Sequence, residues 1–146
     1  MAPIIETVEI ERTPQEVFAY IDQLGRHKEW QEQIVSASVP DGPTQVGTEV
    51  TETRRIGGRE QTSTWVITEH DPPRAFAFRG TDGPLRVVGK GSVEPVEGGT
   101  KSRVTINLDF EGHGVGKLMV PVARSQARKQ VPKDQQRLKE RLESGA

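Results

Sequence analysis

Three tight turns in the middle of the chain constrain the fold more than any other feature of this sequence. Between residues 47 and 110, runs of alternating apolar and polar side chains are separated by Gly57-Gly58, Asp71-Pro72-Pro73 and Gly98-Gly99. Turns of these kinds join antiparallel strands, and the length of each turn sets which residues lie opposite each other. This part of the chain is therefore predicted to form consecutive antiparallel hairpins.

The register that these turns impose predicts one apolar face. A two-residue loop at the first turn places Val50 opposite Trp65. The second turn is expected to place Ile67 opposite Phe76, and Trp65 opposite Phe78. The third turn predicts four further pairs: Val93 with Val104, Gly91 with Ile106, Gly89 with Leu108 and Val87 with Phe110. Agreement among three turns supports the strand assignments, because a wrong register would move apolar residues to the opposite face.

Helical patterns flank the hairpins on both sides. Ile4 to Glu11 alternates like a half-buried strand, and Thr13-Pro14-Gln15-Glu16 then combines a capping box with proline at the first helical position. After Gly112 the period becomes helical, and a long terminal helix kinked at Pro121 and Pro132 is expected. Its predicted apolar stripe comprises Val115, Leu118, Met119, Val122, Leu138 and Leu142. An α+β fold follows, with helices covering one face of a curved sheet.

Composition excludes several classes of function. The 146 residues include 20 basic and 21 acidic side chains, so a net charge of −1 provides no overall field that would draw the chain to nucleic acid or to a membrane. There are no cysteines, and His27, His70 and His113 have no partner at metal-ligand spacing, so neither a metal nor another cofactor is expected. The sequence shows neither a signal peptide nor a transmembrane run, which predicts a single cytoplasmic domain over residues 1–146.

The inward side of the first hairpin carries charge where a closed core would carry none. Glu52 and Arg54 share a predicted face with Val50, Ser63 and Trp65. An ionised group that is buried without a partner costs several kcal/mol. This end of the sheet is therefore expected either to bind a ligand or to be open to water.

Two inward-facing glycines favour the ligand-binding interpretation. Gly89 and Gly91 lack side chains opposite Leu108 and Ile106, which is expected to leave space between the sheet and the terminal helix. In the alternative, these glycines only relieve strand curvature, and the charged residues lie at a solvated rim. The predicted ligand-binding residues are Trp30, Val50, Glu52, Arg54, Ser63, Trp65, Phe76, Phe78, Gly89, Gly91, His113, Met119 and Val122.

Several turns and caps carry a resemblance to a known family. They are Thr13 to Phe18, Lys28-Glu29-Trp30, Val46-Gly47-Thr48, Gly57-Gly58-Arg59, Thr68 to Arg74, Gly98 to Lys101 and Leu138-Lys139. Together they resemble the START-like, helix-grip superfamily known as SRPBCC, specifically its polyketide cyclase/dehydrase and lipid-transport branch. The resemblance implies a curved seven-stranded antiparallel sheet wrapped on a long C-terminal helix, with short helices after strand 1. It also implies a deep pocket for hydrophobic molecules.

The protein is expected to be a monomer or a homodimer. The resemblance and the basic C-terminal helix leave three functions open. The first is binding of a hydrophobic or polycyclic small molecule, such as a lipid or polyketide, for carriage, sequestration or sensing. The second is a polyketide aromatase/cyclase activity, aldol cyclisation with dehydration. Arg54, Trp65 and Tyr20 are the nearest positional equivalents of the family's pocket residues, and Glu52 or Tyr20 would move protons.

The third function is a protein-interaction module that docks a partner on the basic C-terminal helix. Residues 115–143 hold eight Lys or Arg against three Asp or Glu. If this helix docks a partner, an exposed apolar patch is expected beside the charges.

Overall fold

A seven-stranded antiparallel sheet and a long C-terminal helix form the fold in the computed structural model, which describes residues 3–56 and 58–145. The strands are β1 (Ile4–Ile10), β2 (Ile34–Ser38), β3 (Glu49–Ile56), β4 (Arg59–Asp71), β5 (Ala75–Gly80), β6 (Leu85–Val96) and β7 (Lys101–Gly112). The α-helices are α1 (Pro14–Ile21) and α2 (Val120–Glu143), and 3₁₀ helices span Leu24–Glu29, Glu97–Gly99 and Gly114–Leu118. The strand order is β1-β7-β6-β5-β4-β3-β2. The predicted α+β helix-grip architecture is confirmed.

The core lies on the sheet face that α1 and α2 cover, which we call the inner face. Its larger cluster joins β1, α1, β6, β7 and the end of α2, and contains Ile10, Val17, Phe18, Tyr20, Ile21, Trp30, Val93, Val104, Leu138 and Leu142. A second cluster contains Leu24, Val50, Trp65 and Ile67. At the start of α1, the predicted capping box is present, because Thr13 Oγ1 accepts from the Glu16 N–H and Glu16 Oε1 accepts from the Thr13 N–H.

The predicted registers of the first and third hairpins are confirmed, and that of the second is wrong by two residues. Ile67 lies opposite Phe78 and Trp65 opposite Gly80, while Phe76 faces His70. The turn lies further along the chain than expected, and a β-bulge between Ile67 and Glu69 offsets part of this displacement. Because side chains alternate with a period of two, the same face stays apolar.

The predicted apolar stripe of the terminal helix is correct only in its second half. Leu138 and Leu142 are buried, Met119 is half-buried, and Val115, Leu118 and Val122 are exposed. The side of α2 that faces the sheet instead follows the spacing of Ala127, Val131, Asp134, Leu138 and Leu142. The physical reason is that Val122 and Leu138 are 16 residues apart on one continuous helix, which places them on nearly opposite sides of α2. Val115 and Leu118 lie in a separate 3₁₀ helix. The predicted placement of Val122 on the ligand side is therefore wrong.

The two prolines do not divide α2. Pro121 lies in the first turn, where the lack of an N–H costs nothing, and Pro132 lies inside one continuous helix. Gly116 holds the preceding 3₁₀ helix against the connection between β5 and β6. A Cβ at Gly116 would lie 1.8 Å from the carbonyl oxygen of Pro84, a distance that no side chain tolerates. The His113 N–H donates to that same oxygen at 2.7 Å, so the start of α2 is anchored to this end of the sheet.

Candidate functional site

A buried ion pair on β3 is the centre of the candidate site. Glu52 and Arg54 are two residues apart on one strand and therefore project from the same face. Arg54 Nε donates to Glu52 Oε1 at 2.8 Å, and the two side chains are only 26% and 7% exposed, Arg54 being the more accessible. The Arg54 guanidinium also donates to Gln31 Oε1, in the loop before β2. The structure thus brings Glu52 and Arg54 together as predicted, in a setting where each needs its partner.

Helix α2 contributes a carboxyl group that the sequence analysis missed. Asp134 lies between Val131 and Leu138 on the sheet-facing side of α2, and Gln130 Nε2 donates to its Oδ1 at 2.8 Å. Burial raises the pKa of Asp134 from 3.8 to about 6, although Gln130 and the positive charge of Arg54 act in the opposite direction. The sequence does contain a signal for this position. Asp134 is three residues after Val131 and four before Leu138, a spacing that places the three residues on one side of a helix.

We expect Asp134→Asn to stabilise the protein at neutral pH. The pKa of Asp134 is higher in the folded state, so the folded state loses stability as the pH rises from about 4 to about 6. The variant should gain about 2 kcal/mol of unfolding free energy above pH 6 and about nothing below pH 4. Urea unfolding of both proteins across this range measures the difference. Glu94→Gln, an exposed carboxyl group on β6, is the control, and a gain that does not depend on pH would contradict the assignment.

Aromatic rings form the apolar side of the site. His27 lies 5.2 Å from Trp30 and 6.4 Å from Trp65 between ring centroids, and Trp65 lies 5.6 Å from Phe78. The His27 Nε2 is 2.7 Å from the carbonyl oxygen of Ile21. Burial lowers the pKa of His27, which keeps the ring neutral, with Nε2 as the donor to Ile21. This row of aromatic rings is therefore an uncharged wall beside the Glu52–Arg54 pair.

One donor in this wall has no acceptor. The indole Nε1 of Trp30 is buried and has no hydrogen-bond partner among the residues that the structure describes. A buried N–H without an acceptor costs about 1–3 kcal/mol, and a carbonyl or carboxylate oxygen would satisfy it. Trp30 directly precedes Gln31 in the chain, and Gln31 accepts from Arg54.

The predicted open space above Gly89 and Gly91 is filled. A Cβ at Gly89 would lie 2.3 Å from Phe78 Cζ, and a Cβ at Gly91 would lie 2.3 Å from Phe76 Cζ. The glycines therefore allow two phenylalanine rings to lie flat against β6, instead of leaving an empty cavity. The inner face is less covered further along, where Val87, Leu108 and Phe110 remain only half-buried.

The remaining predicted site residues lie in different surroundings. Tyr20 donates to Glu29 Oε1 at 2.7 Å, and burial together with this contact raises its pKa to about 12. This network, which Arg26 completes, ties up the tyrosine hydroxyl, so Tyr20 is a poor proton donor. Ser63, on β4, lies opposite Glu52 of β3 and is half-buried, whereas the His113 side chain is exposed.

Two clefts border the cluster. An open cleft of about 500 Å³ runs along α2 and is lined by Glu32, Pro132, Lys133, Asp134, Gln136, Arg137 and Glu140. A smaller one of about 200 Å³ separates the first 3₁₀ helix from β2 and is lined in part by His27 and Ile34. Asp134 therefore belongs both to the larger cleft and to the surroundings of Arg54.

No metal or membrane-spanning feature accompanies this site. Within residues 3–56 and 58–145, no three His, Cys, Asp or Glu side chains are grouped so that they could hold a metal ion. No helix in the described part of the chain combines the length and apolar character needed to cross a bilayer.

The fold and this site define a helix-grip protein with a polar centre beneath its terminal helix. A family model described as polyketide cyclase / dehydrase and lipid transport matches residues 1–143. The chain belongs to this family. No curated protein matches the sequence.

Solved structures share the fold at low sequence identity. The aromatase/cyclase ZhuI from Streptomyces sp. R1128 is 12% identical with a TM-score of 0.82, covering 95% of this chain and 92% of its own. The protein TTHA0849 from Thermus thermophilus is 18% identical with a TM-score of 0.81, covering 99% of both chains. A START superfamily protein from Mycobacterium smegmatis is 13% identical with a TM-score of 0.79 over the whole of both chains. At these identities the likeness establishes the fold alone.

Proposed function

We propose that this protein binds an apolar, ring-containing small molecule that carries a carbonyl or carboxylate group, for carriage, sequestration or sensing. The ligand would lie between the inner face of the sheet and α2. The observation that carries the proposal is the buried Glu52–Arg54 pair on the inner face, beside a row of aromatic rings.

A buried ion pair by itself adds little to stability. The cost of removing two charges from water often equals or exceeds their attraction, and apolar residues of similar volume frequently stabilise a protein more. A charged pair placed among aromatic rings is therefore a candidate functional group. Glu52 accepts a hydrogen bond from Arg54 Nε, and Gln31 accepts one from a terminal nitrogen of the Arg54 guanidinium. The guanidinium has five N–H donors, so it keeps donors for a third partner.

The chemistry of the donors selects the ligand. Arg54 can donate to two oxygens of one carboxylate, and the Trp30 Nε1–H can donate to a single oxygen. His27, Trp65 and Phe78 offer ring faces and edges to an apolar body. A polyketide, a quinone-like ring or an aromatic acid combines these two features, whereas a plain hydrocarbon lacks the acceptor.

Native mass spectrometry of the purified protein, followed by denaturation and identification of any released molecule, is the direct test. A parallel titration compares naphthoic acid with methylnaphthalene, which have the same rings and differ in the carboxylate. We expect naphthoic acid to bind about tenfold more tightly, and Trp30→Phe to reduce that preference while keeping an aromatic wall. Equal affinities for the two probes, or none for either, would contradict the proposal.

One observation favours the cyclase activity as a second candidate. Asp134 has a pKa of about 6 near Arg54, so it can exchange a proton near neutral pH while Arg54 polarises a carbonyl. Aldol closure followed by loss of water needs these two actions. Incubation with a linear polyketone should then yield a cyclised product, and Asp134→Asn should abolish the product without abolishing binding. Binding without product would leave carriage or sensing as the function.

A further inference from the structure

An apolar and basic surface at the beginning of α2 plays no part in the candidate site. Its apolar side chains are Val115, Leu118 and Val122, and its exposed basic side chains are Lys117 and Lys129; we call it the Leu118 surface. Val115, Leu118 and Val122 are 71%, 82% and 63% exposed. Scattered exposed apolar residues are ordinary, but these three lie within residues 115–122 at the start of α2, and exposed apolar residues that are grouped are typical of interaction sites.

The charge of this segment is entirely of one sign. Residues 112–133 contain five Lys or Arg and no Asp or Glu, and because the whole chain has a net charge of −1, the other residues sum to −6. Val122 and Lys129 are seven residues apart, about two helical turns, so they share the side of α2 that faces away from the sheet. The molecule is therefore polarised, and this end is attracted to a negatively charged surface.

The Leu118 surface is held firmly in place. Gly116 packs directly on Pro84, and Arg124 Nε donates to Asp109 Oδ1 at 2.7 Å. The side chains of Arg124 and Asp109 are 17% and 33% exposed, so this ion pair ties the first turns of α2 to β7. The patch can meet a partner without prior rearrangement of the fold.

We propose that the Leu118 surface docks on an anionic lipid bilayer. Protruding aliphatic side chains enter the boundary between headgroups and acyl chains, while adjacent lysines contact anionic headgroups. Protein partners are usually anchored by aromatic or arginine side chains in pockets, and residues 115–122 contain neither. The proposal goes beyond ligand binding and does not depend on it.

Co-sedimentation with vesicles tests the proposal, using phosphatidylcholine alone and an equimolar mixture of phosphatidylcholine and phosphatidylserine. We expect the full chain to bind the anionic vesicles and to be released by salt. Leu118→Ser combined with Val122→Ser should lower binding by about tenfold or more. Lys117→Glu combined with Lys129→Glu should lower it by a similar factor and remove the preference for phosphatidylserine.

Val46→Ser is the matched control, because Val46 is 61% exposed in the loop before β3, away from the Leu118 surface. This variant should bind vesicles like the wild type, and thermal melts confirm that every variant is folded. The proposal is overturned if the wild type binds neither vesicle, or binds both equally. Loss of binding in Val46→Ser equal to that of the double variant also overturns it. Wild-type dimerisation through this surface without vesicle binding, seen by sedimentation velocity, would assign the surface to a second copy instead.

Discussion

Replacing Arg54 with methionine is expected to lower the free energy of unfolding by about 2–3 kcal/mol, because it leaves the buried Glu52 carboxylate without its donor, while the position of Arg54 itself stays partly open to water. Glu52 is 6% exposed and Arg54 Nε lies 2.8 Å from its Oε1. Methionine retains most of the apolar stem of arginine, so the loss reports mainly on the charge. Chemical denaturation of the wild type and the variant measures the change.

Arg55→Met is the matched control for this prediction. Arg55 is the next residue on β3, projects from the opposite face and pairs with Glu60 through side chains that are 62% and 49% exposed. An exposed pair contributes about 0–1 kcal/mol, so this variant should remain close to the wild type. The double variant Glu52→Leu/Arg54→Met removes both buried charges and should recover most of the lost stability. Equal losses for Arg54→Met and Arg55→Met would show that the inner-face pair is solvated.

Gly91→Leu is expected to lower the free energy of unfolding by about 3 kcal/mol, because the new side chain must displace the ring of Phe76. Even the Cβ would approach Phe76 Cζ to 2.3 Å. If the space above Gly91 were open, as the missing side chain alone suggests, the same variant would be tolerated. Thermal and urea unfolding therefore discriminate a filled inner face from an empty cavity.

Phe76→Ala provides the second arm of this experiment. Removing the ring should make room for the leucine introduced by Gly91→Leu, so the double variant should lose clearly less stability than the two single losses combined. Gly25→Leu serves as a control, because no atom lies within 4 Å of a Cβ at Gly25 and its backbone is not in the left-handed region. Additive losses for Gly91→Leu and Phe76→Ala would mean that the two side chains do not share one space.

Features that depend on neighbouring residues were predictable from the sequence. The Gly98-Gly99 turn predicted four opposed pairs of β6 and β7, and all four are present. The Thr13–Glu16 capping box also forms as expected. In both cases the interacting groups are close along the chain or related by one tight turn, so local stereochemistry determines them. The Glu52–Arg54 pair belongs to the same group, since residues two apart on a strand share a face.

Other features depend on how distant segments pack, and only the tertiary structure decided them. Phe76 and Phe78 fill the space above Gly91 and Gly89 because β5 pairs with β6 so that Phe76 lies opposite Gly91 and Phe78 opposite Gly89. Leu118 is exposed in the 3₁₀ helix before α2, and Val122 is exposed because it lies on the side of α2 opposite Leu138.

Asp134 illustrates the same division at the candidate site. Its identity and helical spacing are in the sequence, but its raised pKa arises from burial on the sheet-facing side of α2, close to Arg54, which is 80 residues away along the chain. Desolvation and charge proximity are properties of three-dimensional packing. The sequence by itself therefore determined the first and third hairpins, the cap of α1 and the charged pair on β3. The tertiary structure decided which space is filled, which carboxyl group joins that pair and which apolar residues remain in contact with solvent.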